Sequence, residues 1–354
     1  MPNIDASVLT DFATQLLVAA GAPHDEAALV GRSLVVANLC GYDSHGVMRI
    51  PFYADMIAKK EAIPGVQLTV IKESPSILVA DANWGLGRVQ CGKLIARLIE
   101  KANSTGIAAG TLYNSSHVGR LGEYCEMATD VGLVSQLMVN THGAARRVAP
   151  PGGTEPRLGT NPMALGVPNG DEPLILDFST SATAEGKVRV KAIAGEDCPS
   201  GWLLDSEGRP TTDPNALYAD PPGTILPMGG DQAYKGFGLA LMIDIFSGAL
   251  SGGLVARETP ITPKGNCVFA VIISPEHFGG VEHFVRQTEQ LADFVRSCKR
   301  QPGVEKIVLP GDPERATLAR KTADGIHLDD ENWRKLGDFA RTLKVEIPAV
   351  EPSF

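Results

Sequence analysis

The chain has 354 residues, of which 44% are hydrophobic, 21% charged and 6% aromatic, and its 32 Lys and Arg stand against 41 Asp and Glu for a formal charge of -9. That length exceeds what one hydrophobic core usually supports, so two domains or one large α/β unit are expected, and the composition excludes a disordered, collagenous or repeat chain. The acidic balance would repel a phosphate-covered polymer, which argues against nucleic acid as a partner.

The first twenty residues, MPNIDASVLTDFATQLLVAA, carry no basic leading segment and space their apolar residues helically, so no signal peptide is expected. Ser7 to Ala20 and Asp25 to Leu39 read as two amphipathic helices joined by the turn GAP at 21–23. A third helix is expected from Asp43 or Ser44 to about Lys60, with Pro51 in its early turns. From about Val66 the texture becomes α/β: β-rich runs such as GIAAGTLYN, GLVSQLMVN, MALGVP and LILDFST alternate with helices at Val89 to Ser104 and Leu121 to Val131. Gly236 to Ala256 is long and apolar enough to imitate a membrane span. Asp244 and several glycines inside it favour a buried helix running into a loop instead. The strand CVFAVIIS at 267–274 precedes a helical tail, Phe284 to Arg300 and Asp329 to Leu343, that is expected to pack back on the N-terminal helices. The division is therefore 1–75 (helical), 76–305 (α/β) and 306–354 (helical). The six cysteines, Cys40, Cys91, Cys125, Cys198, Cys267 and Cys298, form no CxxC pair and read as reduced thiols of a cytoplasmic protein.

Several nucleotide and hydrolase signatures are absent. GxGxxG fails at Gly85-Leu-Gly87, where Gln90 takes the last place, and again at Gly236-Phe-Gly238, where Leu241 does. GxxxxGK[ST], HExxH and GxSxG do not occur. What remains is a set of short polar constellations. In GYDSHGVMRI, Asp43 or Ser44 could simply cap a helix. On such a helix His45 and Arg49 would share one face, about 5–6 Å apart at Cβ, where an imidazole beside a guanidinium weakens the helix unless a ligand uses them. Arg could hold a substrate carboxylate while His exchanges the proton of a neighbouring hydroxyl, so capping and chemistry both stay open on these residues alone. His117 in NSSHVGRLGEYC is expected in a strand-to-helix turn, Thr160 and Asn161 at a turn before Pro162, and Asp177 at a strand end before a run of hydroxyl residues. YKGFG at 234–238 and LPGDPE at 309–314 would each be ordinary turns if taken alone.

Taken in order, GYDSHGVMRIPFY, LYNSSHVGRLGEY, LGTNPMALGVP, LDFSTSATAEGKV, GWLLDSEGRPTTDP, GDQAYKGFGLALMIDIFSGALSGG and LPGDPE resemble the malate/L-lactate dehydrogenase family of the non-Rossmann type. Its relatives include ureidoglycolate and sulfolactate dehydrogenases, diketogulonate reductase and the cyclic-imine reductases. The resemblance covers roughly residues 5 to 345. It implies a homodimer with a helical domain built from both chain ends, and an α/β domain whose mixed β-sheet binds NAD or NADP without GxGxxG. By position, Ser44 and His45 match the family's Ser-His pair, with His as proton donor to the carbonyl during reduction. Arg49 matches a carboxylate clamp, and His117 a second acid/base candidate beside the nicotinamide. Thr160 is then expected at the substrate. Asn114, Ser115, Thr141, Asp177, Phe178, Ser179, Lys235, Gly311 and Asp312 are expected in the cofactor cleft. The implied reaction is hydride transfer between nicotinamide and a small 2-hydroxy or 2-oxo acid carrying a carboxylate, with no metal and no membrane partner. Cyclic-imine reduction is the alternative. Relatives with that activity carry Asp where this chain has Lys187, which leaves a Ser-His-Asp relay incomplete here. From another class, His45, His117 and Asp177 could bind zinc in a hydrolase, although no HxH or HxxxH spacing supports it. A catalytically silent ligand-binding relative is the remaining reading.

Overall fold

The computed structural model of the chain describes residues 2–349 and 351–352. Its elements run β1 (Pro2–Ile4), α1 (Ala6–Ala19), α2 (His24–Leu39), α3 (Ile50–Ala58), β2 (Thr69–Glu73), β3 (Ile77–Asp81), α4 (Gly87–Thr105), β4 (Ile107–Ser115), α5 (Gly122–Thr129), β5 (Val134–Asn140), β6 (Pro162–Val167) and β7 (Leu174–Ser179). They continue with α6 (Glu185–Ala194), β8 (Leu203–Leu204), β9 (Pro210–Thr211), β10 (Thr224–Ile225), α7 (Ala233–Asp244), β11 (Asn266–Ile273), α8 (Val281–Arg296), α9 (Asp312–Asp324), β12 (Ile326–His327), α10 (Asp330–Leu343) and β13 (Glu351–Pro352).

Helix α1 starts where the Asp5 carboxylate accepts from the Ser7 and Val8 amides at 2.7 and 3.4 Å, and it buries Leu9, Phe12, Ala13, Leu16 and Leu17 on one stripe. That stripe joins a core that also holds Val30 and Leu34 of α2, Tyr53 and Met56 of α3, and Ile326, Leu336 and Ala340 from the C-terminal segment. The two ends of the chain thus share one apolar core. β1 adds backbone pairing, lying antiparallel between β12 and β13.

The central sheet is seven-stranded and mixed, in the order β2-β3-β4-β11-β5-β6-β7. β3 and β4 are parallel, joined by α4 as a crossover helix, and the other neighbours are antiparallel. The apolar run of β11 lies between β4 and β5, where Val268, Ala270 and Ile272 meet Leu94, Leu98, Leu112 and Leu137 in a second core. A third small core, Val148, Val188, Cys198, Leu203, Leu217 and Ile225, sits under the β8–β10 sheet, an element that had no counterpart in the sequence reading.

Three expectations need correction. No α-helix starts at Asp43 or Ser44: the chain makes two 3-10 turns, Asp43–His45 and Val47–Arg49, separated by an extended Gly46. Asn38 causes the break, because its Oδ1 accepts from Val47 N at 2.9 Å and its side chain fills the space that a Cβ on Gly46 would need. α3 then begins at Ile50 with Pro51 in its first turn. Second, α7 is not a buried helix. It passes into a π-turn at Ile245–Ala249, and Leu241, Met242, Ile245, Phe246 and Leu250 are exposed, whereas Asp244 is buried and accepts from Asn140 Nδ2 at 2.5 Å. Third, LPGDPE is not only a turn: Gly311, at φ +92°, is the N-cap of α9, and Pro313 occupies the first turn. Among the described residues no helix is long and apolar enough to cross a membrane. The six cysteines are unpaired, and all but Cys298 are buried.

Candidate active site

The sheet gathers polar loops at one end. Register pairs Ser115 with Asn266, Cys267 with Asn140, and Pro162 with Ser179, so the ends of β4, β5 and β7 and the starts of β11 and β6 lie along one edge. Asn114, His142 and Asn161 leave those strands in the left-handed region, at φ +50°, +51° and +31°. Asn114, Ser115, Thr141, Thr160, Phe178 and Ser179 therefore all border this edge. Thr141 turns its hydroxyl to Ala145 O at 3.1 Å, and Asn114 donates to Asp81 at 3.0 Å.

His117 follows β4 into this region, in the strand-to-helix turn expected for it, and here the chain explains its failed GxGxxG. Gly85-Leu-Gly87 does stand between a strand and a helix, as the fingerprint requires. However, Gly87 packs directly against the Ser116–His117 backbone, and its amide donates to Ser116 Oγ at 2.8 Å. The start of α4, where a pyrophosphate sits in a Rossmann fold, is filled by the His117 loop.

Against that loop lie the two 3-10 turns. The His45 and His117 rings stack with centroids 5.5 Å apart and planes 28° from parallel. Ser44 Oγ is 3.0 Å from His45 Nδ1. Arg49 Nε donates to Ser44 O at 2.6 Å, and among the described residues its terminal amino groups have no protein partner. Sequence-distant residues complete the cluster. Tyr53 Oη is 2.8 Å from His117 Nδ1, and the buried Arg88 reaches Tyr53 Oη at 3.2 Å and His45 O at 2.6 Å. Glu123, 3.5 Å from Arg88, balances the guanidinium and is itself held by the Ser33 hydroxyl. Tyr53 and Arg88 went unnoticed in the sequence. Tyr53, four residues past Arg49 in the helix that follows it, carried the better signal.

Burial, reinforced by the charges of Arg49, Arg88 and Arg120, pushes His45 down to about 3, and burial with Arg49, His45 and Arg88 holds His117 well below the ordinary histidine range. Both residues are half-buried, and their imidazoles are neutral near pH 7. Burial and the neighbouring Arg189 likewise lower Arg49, offset in part by Glu185. A chain of net negative charge thus holds a cationic pocket with neutral proton acceptors, an arrangement that attracts a small anion.

These shifts carry a stability prediction. Below pH 6.5 an unfolded histidine takes up a proton that the folded site refuses, so His45 and His117 make the fold less stable as pH falls. Asp177 acts oppositely between pH 6 and 3.8, because burial raises its carboxyl to about 6. Calorimetric Tm should fall more steeply from pH 7 to pH 5 in the parent than in a His45→Gln/His117→Gln double variant, where Asp177 is unchanged; equal slopes would refute the assignment.

A second cleft opens beside Tyr42, lined by Cys40, Arg120, Asp177, Gly311 and Glu314. Asp177 accepts from Gly122 N at 2.8 Å. Arg120 pairs with Glu126 at 2.6 Å while its buried Nε lacks a partner. A Cβ on Gly311 would press on Arg315 and on the Ile175 amide. The Asp177 and Glu314 carboxylates and the Arg120 guanidinium that line this cleft fit the hydroxyl groups and the phosphate of a nucleotide. Asp312 does not face this cleft freely: Leu309 N and Arg315 bind its carboxylate at 2.8 and 2.6 Å. Lys235 is exposed in the first turn of α7, over the Tyr234 ring at 5.9 Å. Lys187 is exposed on α6, and it is Gly186, with no side chain, that abuts Ser44. Among the described residues no three His, Cys, Asp or Glu side chains are grouped to hold a metal ion.

The model of the malate/L-lactate dehydrogenase family matches residues 4–337. The malate dehydrogenase of Pyrococcus horikoshii is 35% identical over 345 residues, covering 96% of this chain and 94% of that protein. The hydroxycarboxylate dehydrogenase B of Escherichia coli K12 is 36% identical over 346 residues, again covering 96% and 94%. Among solved structures, the Δ1-piperideine-2-carboxylate reductase of Pseudomonas syringae superposes with a TM-score of 0.82 at 29% identity, over 96% of this chain and all of that one. With its family model spanning most of its length and relatives aligned nearly end to end, the chain belongs to the malate/L-lactate dehydrogenase family.

Proposed function

We propose that this chain interconverts a small 2-hydroxy acid and its 2-oxo acid with NAD or NADP, and that Ser44, His45, Arg49 and His117 form its catalytic centre. The observation that carries the reading is the pairing of a neutral His45 with an Arg49 whose terminal amino groups are uncommitted. Arg49 clamps the substrate carboxylate, and His45 accepts the hydroxyl proton in oxidation and returns it in reduction. Thr160, beside the same edge of the sheet, contacts the substrate.

Membership in a dehydrogenase family implies a nicotinamide cofactor, which supplies the hydride acceptor when bound. Asn114, Ser115, Thr141, Asp177, Phe178, Ser179, Lys235, Gly311 and Asp312 are proposed to hold it, with Arg120 as an added donor to a phosphate. The cleft lined by Arg120, Asp177, Gly311 and Glu314 supports this placement. The shared core of the chain ends supports one helical unit from 1–75 and 306–354 around an α/β unit at 76–305, although β2 already joins the sheet before residue 76. A homodimer is proposed because Tyr234, Leu241, Met242, Ile245, Phe246 and Leu250 leave an apolar face uncovered. A cytoplasmic location fits the unpaired thiols.

Imine reduction is the weaker reading, because exposed Lys187 puts no carboxylate behind the Ser44–His45 pair. A panel of malate, lactate, sulfolactate and Δ1-piperideine-2-carboxylate, followed at the reduced-nicotinamide absorbance with both cofactors, tests the proposal. Turnover of the hydroxy acids is expected. Turnover of the imine alone would overturn it, and light scattering on the same sample should read twice the monomer mass.

A further inference from the structure

We propose that Tyr53 and Arg88 are positioning residues that lock His117 as the neutral tautomer protonated on Nε2, so that His117 donates a hydrogen bond to the substrate oxygen and leaves proton exchange to His45. The half of this statement that concerns the substrate rests on the function proposed above; the half that concerns the tautomer does not.

A guanidinium can only donate, so at 3.2 Å the Tyr53 oxygen accepts from Arg88 Nε. Of the two partners that the structure gives this phenol, only His117 Nδ1, at 2.8 Å, can then accept the hydroxyl hydrogen. A ring nitrogen that accepts carries no proton, which places the single proton of the neutral imidazole on Nε2.

The lock is built into the core. Arg88 lies in the first turn of α4 and is 2% exposed. Its remaining donors are taken by the Ser33 hydroxyl, by Glu123 and by His45 O. Gly119, at φ +83°, leaves room for the guanidinium that a side chain there would occupy, and Gly87 brings α4 onto the His117 backbone. One buried side chain therefore sets both histidines, His117 through the Tyr53 hydroxyl and His45 through its own carbonyl. Lys187 supplies no carboxylate for this; Arg88, itself held by the Glu123 carboxylate, acts through the Tyr53 hydroxyl instead.

The test uses the full-length protein with 15N-labelled histidine and long-range proton–nitrogen correlation at pH 7.5, the His117 signals being assigned by their loss in His117→Gln. The expected pattern is a protonated Nε2 and a hydrogen-bonded, unprotonated Nδ1. In Tyr53→Phe, which keeps the ring volume, the preference for Nε2–H should relax, and Nδ1 should move to a position averaged between a protonated and a free imine nitrogen. Turnover should fall about tenfold with KM changed less than twofold, since one aligned hydrogen bond contributes about 1–1.5 kcal/mol. A purely structural role for Tyr53 would lower Tm without altering the tautomer. A proton on Nδ1, an imidazolium, or a tautomer pattern unaffected by Tyr53→Phe would each overturn the proposal. Failure of the substrate panel with the Nε2–H pattern intact would instead overturn the proposed function.

Discussion

Replacing His45 with alanine is expected to lower kcat for 2-hydroxy acid oxidation by about 10²–10⁴-fold, the usual contribution of a positioned general base, with little change in cofactor binding. The reason lies in the protonation state that the fold imposes. Burial and the charges of Arg49, Arg88 and Arg120 hold the free imidazole at about 3, so it is unprotonated at neutral pH, and its basicity rises when a bound carboxylate offsets Arg49. In the direction of reduction the same group must first gain a proton. A bound carboxylate neutralises Arg49, the largest of the charges opposing that gain, so binding of a 2-oxo acid should be accompanied by proton uptake. Steady-state kinetics of His45→Ala and calorimetric titration of the parent in buffers of different ionisation enthalpy measure the two effects. A variant that kept most of its turnover would transfer the role of base to His117.

Arg49→Ala should raise KM and lower kcat/KM by about 30- to 1,000-fold, equivalent to about 2–4 kcal/mol for the loss of a two-pronged charge-assisted hydrogen bond. Some of the loss should appear in kcat, because Arg49 Nε also holds the Ser44 carbonyl beside the Ser44–His45 contact. Arg49→Lys keeps the charge but not the planar fork, and should recover only part of the affinity. An unchanged KM in the alanine variant would remove the clamp. A substrate ester in place of the acid offers a control from the other partner, since the parent and the variant should treat it nearly alike.

Much of the fold was legible where its cause was local. The stripe Leu9, Phe12, Ala13, Leu16 and Leu17 announces α1, the Asp329 cap announces α10, and the continuous apolar run of β11 announces a central strand, buried on one face and half-buried on the other. Helix α9 was also within reach, since Asp312-Pro313-Glu314 is a good helix start, but the preceding glycine drew attention to the turn instead. Around SHGVMR the chemistry was legible and the conformation was not. A helical reading of His45 and Arg49 depends on nearest neighbours, whereas the break at Gly46 is imposed by Asn38 reaching in from the preceding helix. Helix α6 was hidden because its N-cap, Ala184, makes no side-chain cap. The exposed apolar residues of α7 read as core because an apolar sequence does not say what will cover it.

By itself the sequence determined the kinds of groups available: an imidazole and a guanidinium in one short segment, a second histidine after a strand, and no dinucleotide fingerprint. Tertiary structure alone decided which of them meet. His45 and His117 stack because Gly87 lets α4 press the His117 loop toward the 3-10 turns, and the buried Arg88 joins them through the His45 carbonyl and the Tyr53 hydroxyl. Such contacts join residues far apart in the chain through packing volume and hydrogen-bond satisfaction, neither of which leaves a periodic trace in sequence.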